Sequence, residues 1–347
     1  MTQSTTEATA RPAAATPHAW EGVPITPILL LVLFVLIAVS LLSGRVWLNP
    51  SEVIDGLFAA NAQPSSIIVL ELRLPRTLLA VVAGATLGLS GAVLQGLTRN
   101  PLAEPGLLGV SAGASLGAVI AIYFGISLFA SVAIPVLGLA GALGATMLTF
   151  ALGRGGGTVS LVLAGAAVNA LMGALISLAL SLAPSVEAAY EIMTWLMGSL
   201  AGRGWDHILL SLPFVLVGCG LLAVTGRALD ALSLGEVQAE SLGIDLRRLR
   251  LIVLAGTAMA VGAATSVTGA VGFIGLVAPH LVRPFAGYQP SRILLPAAVG
   301  GAVLMLGADI VTRWISIGPE MKLGVFTALL GTPFFFWLVV RLRTVAP

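Results

Sequence analysis

Ten apolar runs, near residues 26–45, 71–96, 106–125, 131–152, 159–182, 207–225, 251–272, 274–286, 293–312 and 322–341, take up most of this 347-residue chain. A helix needs about 20 apolar residues to cross a bilayer, and all the runs but the short eighth come close to that length. Charged residues are only 9% of the sequence, against about 25% in soluble domains. The 41 glycines suit helices that approach closely in lipid. These features predict an all-α polytopic membrane protein with about ten transmembrane helices.

Residues 1–24, rich in Thr, Ala and Pro, read as a disordered cytoplasmic tail, and residues 25–343 as one transmembrane domain. The run from Ile25 to Gly44 is longer than the apolar core of a signal peptide and is expected to be retained. With the N-terminus inside, eleven arginines fall on the inner side: Arg11, Arg99, Arg154, Arg227, Arg247, Arg248, Arg250, Arg283, Arg292, Arg341 and Arg343. Six basic residues fall outside: Arg45, Arg73, Arg76, Arg203, Arg313 and Lys322. The positive-inside rule favours this orientation, with both termini cytoplasmic, and it accounts for the basic pI without a nucleic-acid partner. The one cysteine, Cys219, lies in an apolar run and rules out a disulfide within the chain.

One central segment must be wet. Residues 227–250 carry eight of the 32 charged residues between two long apolar runs. The apolar spacing of Leu229, Leu232, Leu234, Val237 and Leu242 suits two short helices, with breaks at Gly235 and Gly243 and an N-cap at Asp245 for the helix that follows. Such a segment can dock into a groove on a soluble partner or be a solvated loop.

GATLGLSGAV (84–93) aligns without gaps on GAATSVTGAV (262–271), and Pro101 then falls on Pro279. Five of the ten residues are identical and Ser90 pairs with Thr268. Chance in a Gly/Ala-rich chain is the competing explanation. A true match makes helices 2–5 and 7–10 an inverted repeat, an architecture common in transporters.

The chain holds little that could catalyse. Lys322 is its only lysine and Leu323 follows it, so no phosphate-binding GxxxxGK[ST] loop is present. His18, His207 and His280 lack metal-ligand spacing. No metal or other cofactor is expected. An ion-coupled secondary transporter or channel would place ionisable groups deep in the bilayer. Here Glu71, Asp206 and His207 lie at span ends, Asp309 is placed to pair with Arg313 four residues on, and His280 reads as structural.

Asn169, Gly173, Ser177 and Ser181 recur every four residues and share one face of the fifth span. That face either packs on another helix or lines a watery path. GRGGGTVS (153–160) ahead of it is too flexible for a helix and suggests a loop or a mobile hinge. In RLPR, Arg73 and Arg76 lie three apart at the mouth of the second span. They can grip carboxylates bidentately or anchor the span by snorkelling.

The stretches RLPRTLLAVVAGATLGLSGAVLQGLTRNPLAEPGLLGVSAGASLG (73–117), LVLAGAAVNAL (161–171), WLMGSLAG (195–202), LSLGEVQAESLGI (232–244), GAVGFIGLVAPHLVR (269–283), LLPAAVGGAVLMLGADIVTR (294–313) and LGVFTALLGTPFFFWL (323–338) resemble the FecCD family of ABC importer permeases. The likeness runs in family order from about residue 45 to 343. It implies ten helices, a bacterial inner-membrane location and import of a ferric siderophore, or alternatively haem or cobalamin, by alternating access. It also implies a dimer with a second permease, identical or a sister chain, two ATPase subunits that hydrolyse the ATP, and a periplasmic binding protein that delivers the cargo.

By the same resemblance, Leu232, Ser233, Leu234, Gly235, Glu236, Val237, Gln238, Ala239, Glu240, Ser241, Leu242 and Gly243 form the coupling helices held by the ATPase. Arg73, Arg76 and Arg313 match the positions that receive acidic residues of the binding protein. Gly157, Thr158 and Val159 match the cytoplasmic gate, where this chain departs from the family in being glycine-rich. Asn169, Gly173, Ser177 and Ser181 match the pore-lining helix.

Overall fold

Each of the ten apolar runs is helical, because a bilayer offers backbone N–H and C=O groups no partner but their own chain. The computed structural model describes residues 24–44, 46–58, 64–130, 132–316 and 318–345. The expected N-terminal tail, up to residue 23, and Arg45 lie outside them.

The helices are α1 (Ile25–Leu42), α2 (Pro50–Phe58), α3 (Pro64–Ile67), α4 (Leu74–Thr98), α5 (Val110–Tyr123), α6 (Ile126–Phe129), α7 (Ala133–Leu152) and α8 (Gly157–Ser181), then α9 (Val186–Leu196), α10 (Trp205–Ala223), α11 (Gly226–Ser233), α12 (Glu236–Ser241), α13 (Leu246–Thr268), α14 (Ile274–Val282), α15 (Pro290–Ile315) and α16 (Leu323–Val345). Among the described residues, eight helical stretches are long and apolar enough to cross a membrane. The third and eighth expected spans are shorter helices, α5 with 14 residues and α14 with 9.

Helices α3 and α4 belong to one 35-residue stretch, Pro64–Thr98, joined by a wide turn over Ile68–Arg73. Pro75 explains the turn. It has no N–H to give the carbonyl four residues back, so the ladder slips and Leu74 N–H donates to Val69 O, five residues back. The extra residue in that turn sets the directions in which Arg73 and Arg76 leave the helix.

Helices α4, α13 and α15 are the buried centre, whereas α1, α8, α10 and α16 are mostly exposed on the single chain. The central packing crosses between the halves. Helix α4 packs chiefly on α15 and also on α14, and its counterpart α13 packs on α7 and α5, besides α10. An exchange of this kind is what a two-fold relation between helices 2–5 and 7–10 requires. The aligned hydroxyls also behave alike: Ser90 donates to Thr86 O at 2.7 Å and Thr268 to Ala264 O at 3.0 Å.

Glycines permit this closeness. A Cβ added at Gly84, Gly88 or Gly91 would strike the carbonyls of Gly301, Ala297 and Gly275, respectively. With lipid as apolar as the helices themselves, such backbone contact is a main source of attraction between them.

The expectation that 153–160 cannot be helical holds only for its first half. Helix α8 begins at Gly157, so Thr158, Val159 and Ser160 form its first turn. The left-handed φ values of Gly155 (87°) and Gly157 (71°) complete the reversal from α7 within the glycines, leaving the β-branched pair free to be helical.

Candidate functional site

Helix α4 sets the geometry of the site. Its first turn carries Arg76, and at its other end Gly96 lies against Leu229 of α11. Twenty residues at 1.5 Å each separate Arg76 from Gly96, which puts the two polar ends of the bundle about 30 Å apart, the thickness of a hydrocarbon core.

At the α11–α12 end, the charged segment folds as two short helices followed by α13. Gly235 (φ 119°) and Gly243 (φ 84°) make the breaks, and the Asp245 carboxylate accepts from Arg248 N–H at 2.9 Å to cap α13. Leu229, Leu232 and Ala239 are buried and fix the pair to the bundle. Leu234, Val237 and Leu242 point outward and are 64%, 72% and 63% exposed, so the segment presents an apolar surface among its charges.

Two carboxylates lock this segment to the spans. Asp230 accepts from Ser291 N–H at 2.8 Å, Ser291 Oγ at 2.6 Å and Gln289 Nε2 at 2.8 Å, which caps α15 from α11. Partial burial pushes its carboxyl up, but the bonds from Ser291 and Gln289 outweigh that and hold it below the ordinary aspartate range. Glu236, the first residue of α12, accepts from Thr158 Oγ1 at 2.7 Å and from Arg250 Nη2 at 3.1 Å. The Thr158 bond first, then Arg250, lowers its carboxyl below the usual glutamate value. The first turn of α8 is thereby joined to α12 and α13.

At the opposite end, Arg73, Arg76 and Arg313 line one cavity of about 300 Å³ together with Ser43, Gly44 and Glu320. Arg76 holds Asp309 through Nε at 3.0 Å and Nη2 at 2.8 Å and also binds Glu320. Arg313 pairs with the same Asp309 at 3.0 Å, the expected i,i+4 contact, and donates to Ser40 and Ser43 carbonyls, each at 3.1 Å. Arg73 turns inward, giving Nη1 to Leu41 O at 2.6 Å and Nη2 to Val46 O. All three guanidinium groups are thus engaged within the chain, and fully buried Asp309 is shared by two of them. Sequence reasoning missed Glu320 and the pairing of Glu236 with Thr158, since neither contact follows from spacing along one helix. The nearby Gly318 and Pro319 were the only signal that Glu320 sits in a turn beside the arginines.

Between the ends, Asn169, Gly173, Ser177 and Ser181 share one face of α8, and all four are exposed on the surface of the chain. His280 packs edge-on against the Phe334 ring at 5.6 Å, in keeping with a structural role.

The family and its relatives agree with this architecture. The sequence pattern of the FecCD transport family matches residues 30–341. The chain is similar to the vitamin B12 import system permease protein BtuC of Klebsiella pneumoniae, at 39% identity over 320 residues, 91% of this chain and 93% of that one. It is similar to the hemin transport system permease protein HmuU of Yersinia pestis, at 42% identity over 281 residues, 80% and 84% of the two chains. A solved metal-chelate type ABC transporter in an inward-facing conformation superposes with a TM-score of 0.82 at 32% identity, covering 91% of this chain and 99% of that one. With a match over nearly its whole membrane domain and relatives well above 30% identity, the chain belongs to the FecCD transport family.

Proposed function

We propose that this permease passes a large metal chelate from a periplasmic binding protein to the cytoplasm, through a path it shares with a second permease subunit. The observation that carries this reading is the polar stripe on α8. Asn169, Ser177 and Ser181 lie on the outside of a membrane helix, and lipid cannot satisfy their hydrogen bonds. A facing copy of α8, or of a sister chain, with water between them would satisfy them.

Energy enters at the other exposed surface. The outward Leu234, Val237 and Leu242 of 232–243 suit a cleft on an ATPase subunit, one for each permease of the pair. ATP binding would draw the two ATPases together and move α12. Through Glu236 and Thr158 that movement reaches the first turn of α8, where Gly157, Thr158 and Val159 serve as gate. The surface with the charged segment then faces the cytoplasm, as do both termini. Arg73, Arg76 and Arg313 mark the periplasmic surface, and acidic residues of the binding protein dock there by displacing the partners these arginines hold within the chain, Glu320 on Arg76 first.

Ferric siderophore is the cargo suggested by the family resemblance, and the names of the B12 and hemin relatives bring cobalamin and haem equally into the panel. The path need not hold its cargo tightly, because tight binding would slow release. Stimulation of ATPase activity by the complete complex, measured with its binding protein and each chelate in turn, tests the reading. Uptake driven by an ion gradient in vesicles holding this chain alone would overturn it in favour of a secondary transporter.

A further inference from the structure

A cavity of about 440 Å³ opens where α7 ends, α8 begins and α13 begins, and Phe150, Arg154, Gly155, Gly157, Arg247 and Arg250 line it. Phe150 and Leu161 contribute apolar lining, and three arginines from two separate segments contribute charge. Among the described residues no acid lines it, and the nearest carboxylate is that of Glu236 beside Gly157. Arg250 gives one nitrogen to Glu236 at 3.1 Å. The Arg154 guanidinium carbon lies over the Phe150 ring, 5.6 Å from its centre, in a cation–π contact. Arg154 and Arg247 are exposed and form no ion pair among the described residues. At Gly155 a Cβ would meet nothing within 4 Å among the described residues, so a group with oxygens has room to approach.

We infer that this cavity binds a phosphate group, and that an anionic phospholipid of the adjoining leaflet presents it. Two features favour lipid as the source. The cavity sits at the ends of membrane spans, and Leu152 and Leu251, next in sequence to its lining residues Gly153 and Arg250, are exposed and offer an acyl chain apolar surface. Basic pockets between spans on the cytoplasmic side are a recurring way to hold lipid headgroups. A phosphate there would bridge the first turns of α8 and α13, the two helices that Glu236 already joins. The inference adds to the import reading and does not depend on it, because it concerns binding to the chain itself.

The test titrates the full chain in neutral detergent with dioctanoyl phosphatidylglycerol, dioctanoyl phosphatidylcholine and inorganic phosphate, reading occupancy by native mass spectrometry. The expected result is a saturable phosphatidylglycerol site that phosphatidylcholine does not fill. Its affinity should fall about fivefold in Arg154→Gln and again in Arg247→Gln. Arg248→Gln, on the same turn of α13 but outside the cavity, should leave it unchanged. Binding of inorganic phosphate with the same arginine dependence, and no gain from the lipid, would overturn the lipid source while keeping the phosphate site. Equal affinity in wild type, Arg154→Gln and Arg247→Gln, or an equal loss in Arg248→Gln, would overturn the site itself.

Discussion

The Thr158 hydroxyl donates to Glu236 at 2.7 Å, so the first turn of α8 and the first residue of α12 are in direct contact although 78 positions separate them. A hydrogen bond to a charged acceptor is worth roughly 1.5–3 kcal/mol when buried, and this half-exposed one is expected near the low end. Thr158→Val should leave assembly with the ATPase intact and lower the ratio of cargo moved to ATP hydrolysed by about fivefold, read in proteoliposomes. An unchanged ratio would count against the proposed coupling of α12 to the first turn of α8 through this bond.

Acid should loosen the same end of the molecule. Glu236 and Asp230 both have lowered carboxyl pKa values in the folded chain, so their contribution is complete above the ordinary values of 4.5 and 3.8 and is lost as pH falls through the lower folded values. Thermal stability in detergent should therefore be flat in these two groups from neutrality to about pH 5 and decline below it. Glu236→Gln should show a shallower decline. A wild-type curve that falls between pH 7 and 5 because of these residues would contradict the assignment.

The arginine cluster calls for a gentler probe than charge reversal. Arg76→Glu would set a third acid against buried Asp309, and breaking such a pair costs about 3–5 kcal/mol, enough to lose the fold along with any docking. Glu320→Gln instead releases one side of Arg76, which Glu320 now occupies. If Arg76 receives a carboxylate from the binding protein, its affinity should rise several-fold in this variant, measured by surface plasmon resonance on the reconstituted complex. No rise, with the fold intact, would count against docking through Arg76.

Two substitutions on α8 separate path from packing. Asn169→Leu should preserve assembly and ATP hydrolysis and slow transport severalfold, whereas Asn169→Ser should transport nearly normally. Ser181→Cys in a Cys219→Ala background should cross-link two copies, or this chain to its sister permease, under mild oxidation. Failure of every position along the stripe to cross-link would place α8 against lipid or another helix.

Gly91→Val should prevent folding, because its side chain would enter the Gly275 carbonyl on α14 and no flexible neighbour can give way. Gly173→Ala is the control, since nothing lies within 4 Å of its added Cβ. Thermal unfolding should separate the two clearly, and a stable Gly91→Val chain would contradict the close packing of α4 on α14.

Much of this was legible along the chain because membrane helices announce themselves by length and apolarity. The helicity of all ten apolar runs, the breaks at Gly235 and Gly243, the Asp245 cap and the Asp309–Arg313 pair depend on contacts within a few residues. The structure adds what depends on distant segments. Arg73 and Arg76 look equivalent in RLPR, yet the wide turn ahead of Pro75 leaves Arg73 on backbone carbonyls and Arg76 on two carboxylates. Thr158 and Val159 looked too close to glycine to be helical, and only the positive φ of Gly157 shows how the helix can start immediately there. Asn169, Gly173, Ser177 and Ser181 were correctly grouped on one face, but that the face is outward could be learned only once the neighbours of α8 were in place.

The crossed packing of α4 also sets a timetable for synthesis. The glycine face of α4 ends at Thr98, and its cover, α15, begins at Pro290. At 5–20 residues per second a ribosome takes roughly ten to forty seconds to make the stretch between them. Through that interval the stretch of α4 at Gly84 and Gly88 sits in the bilayer without the helix that covers it. A message cut short before α15 yields a chain whose Gly84 and Gly88 have no partner backbone to close on, and quality-control proteases should remove it.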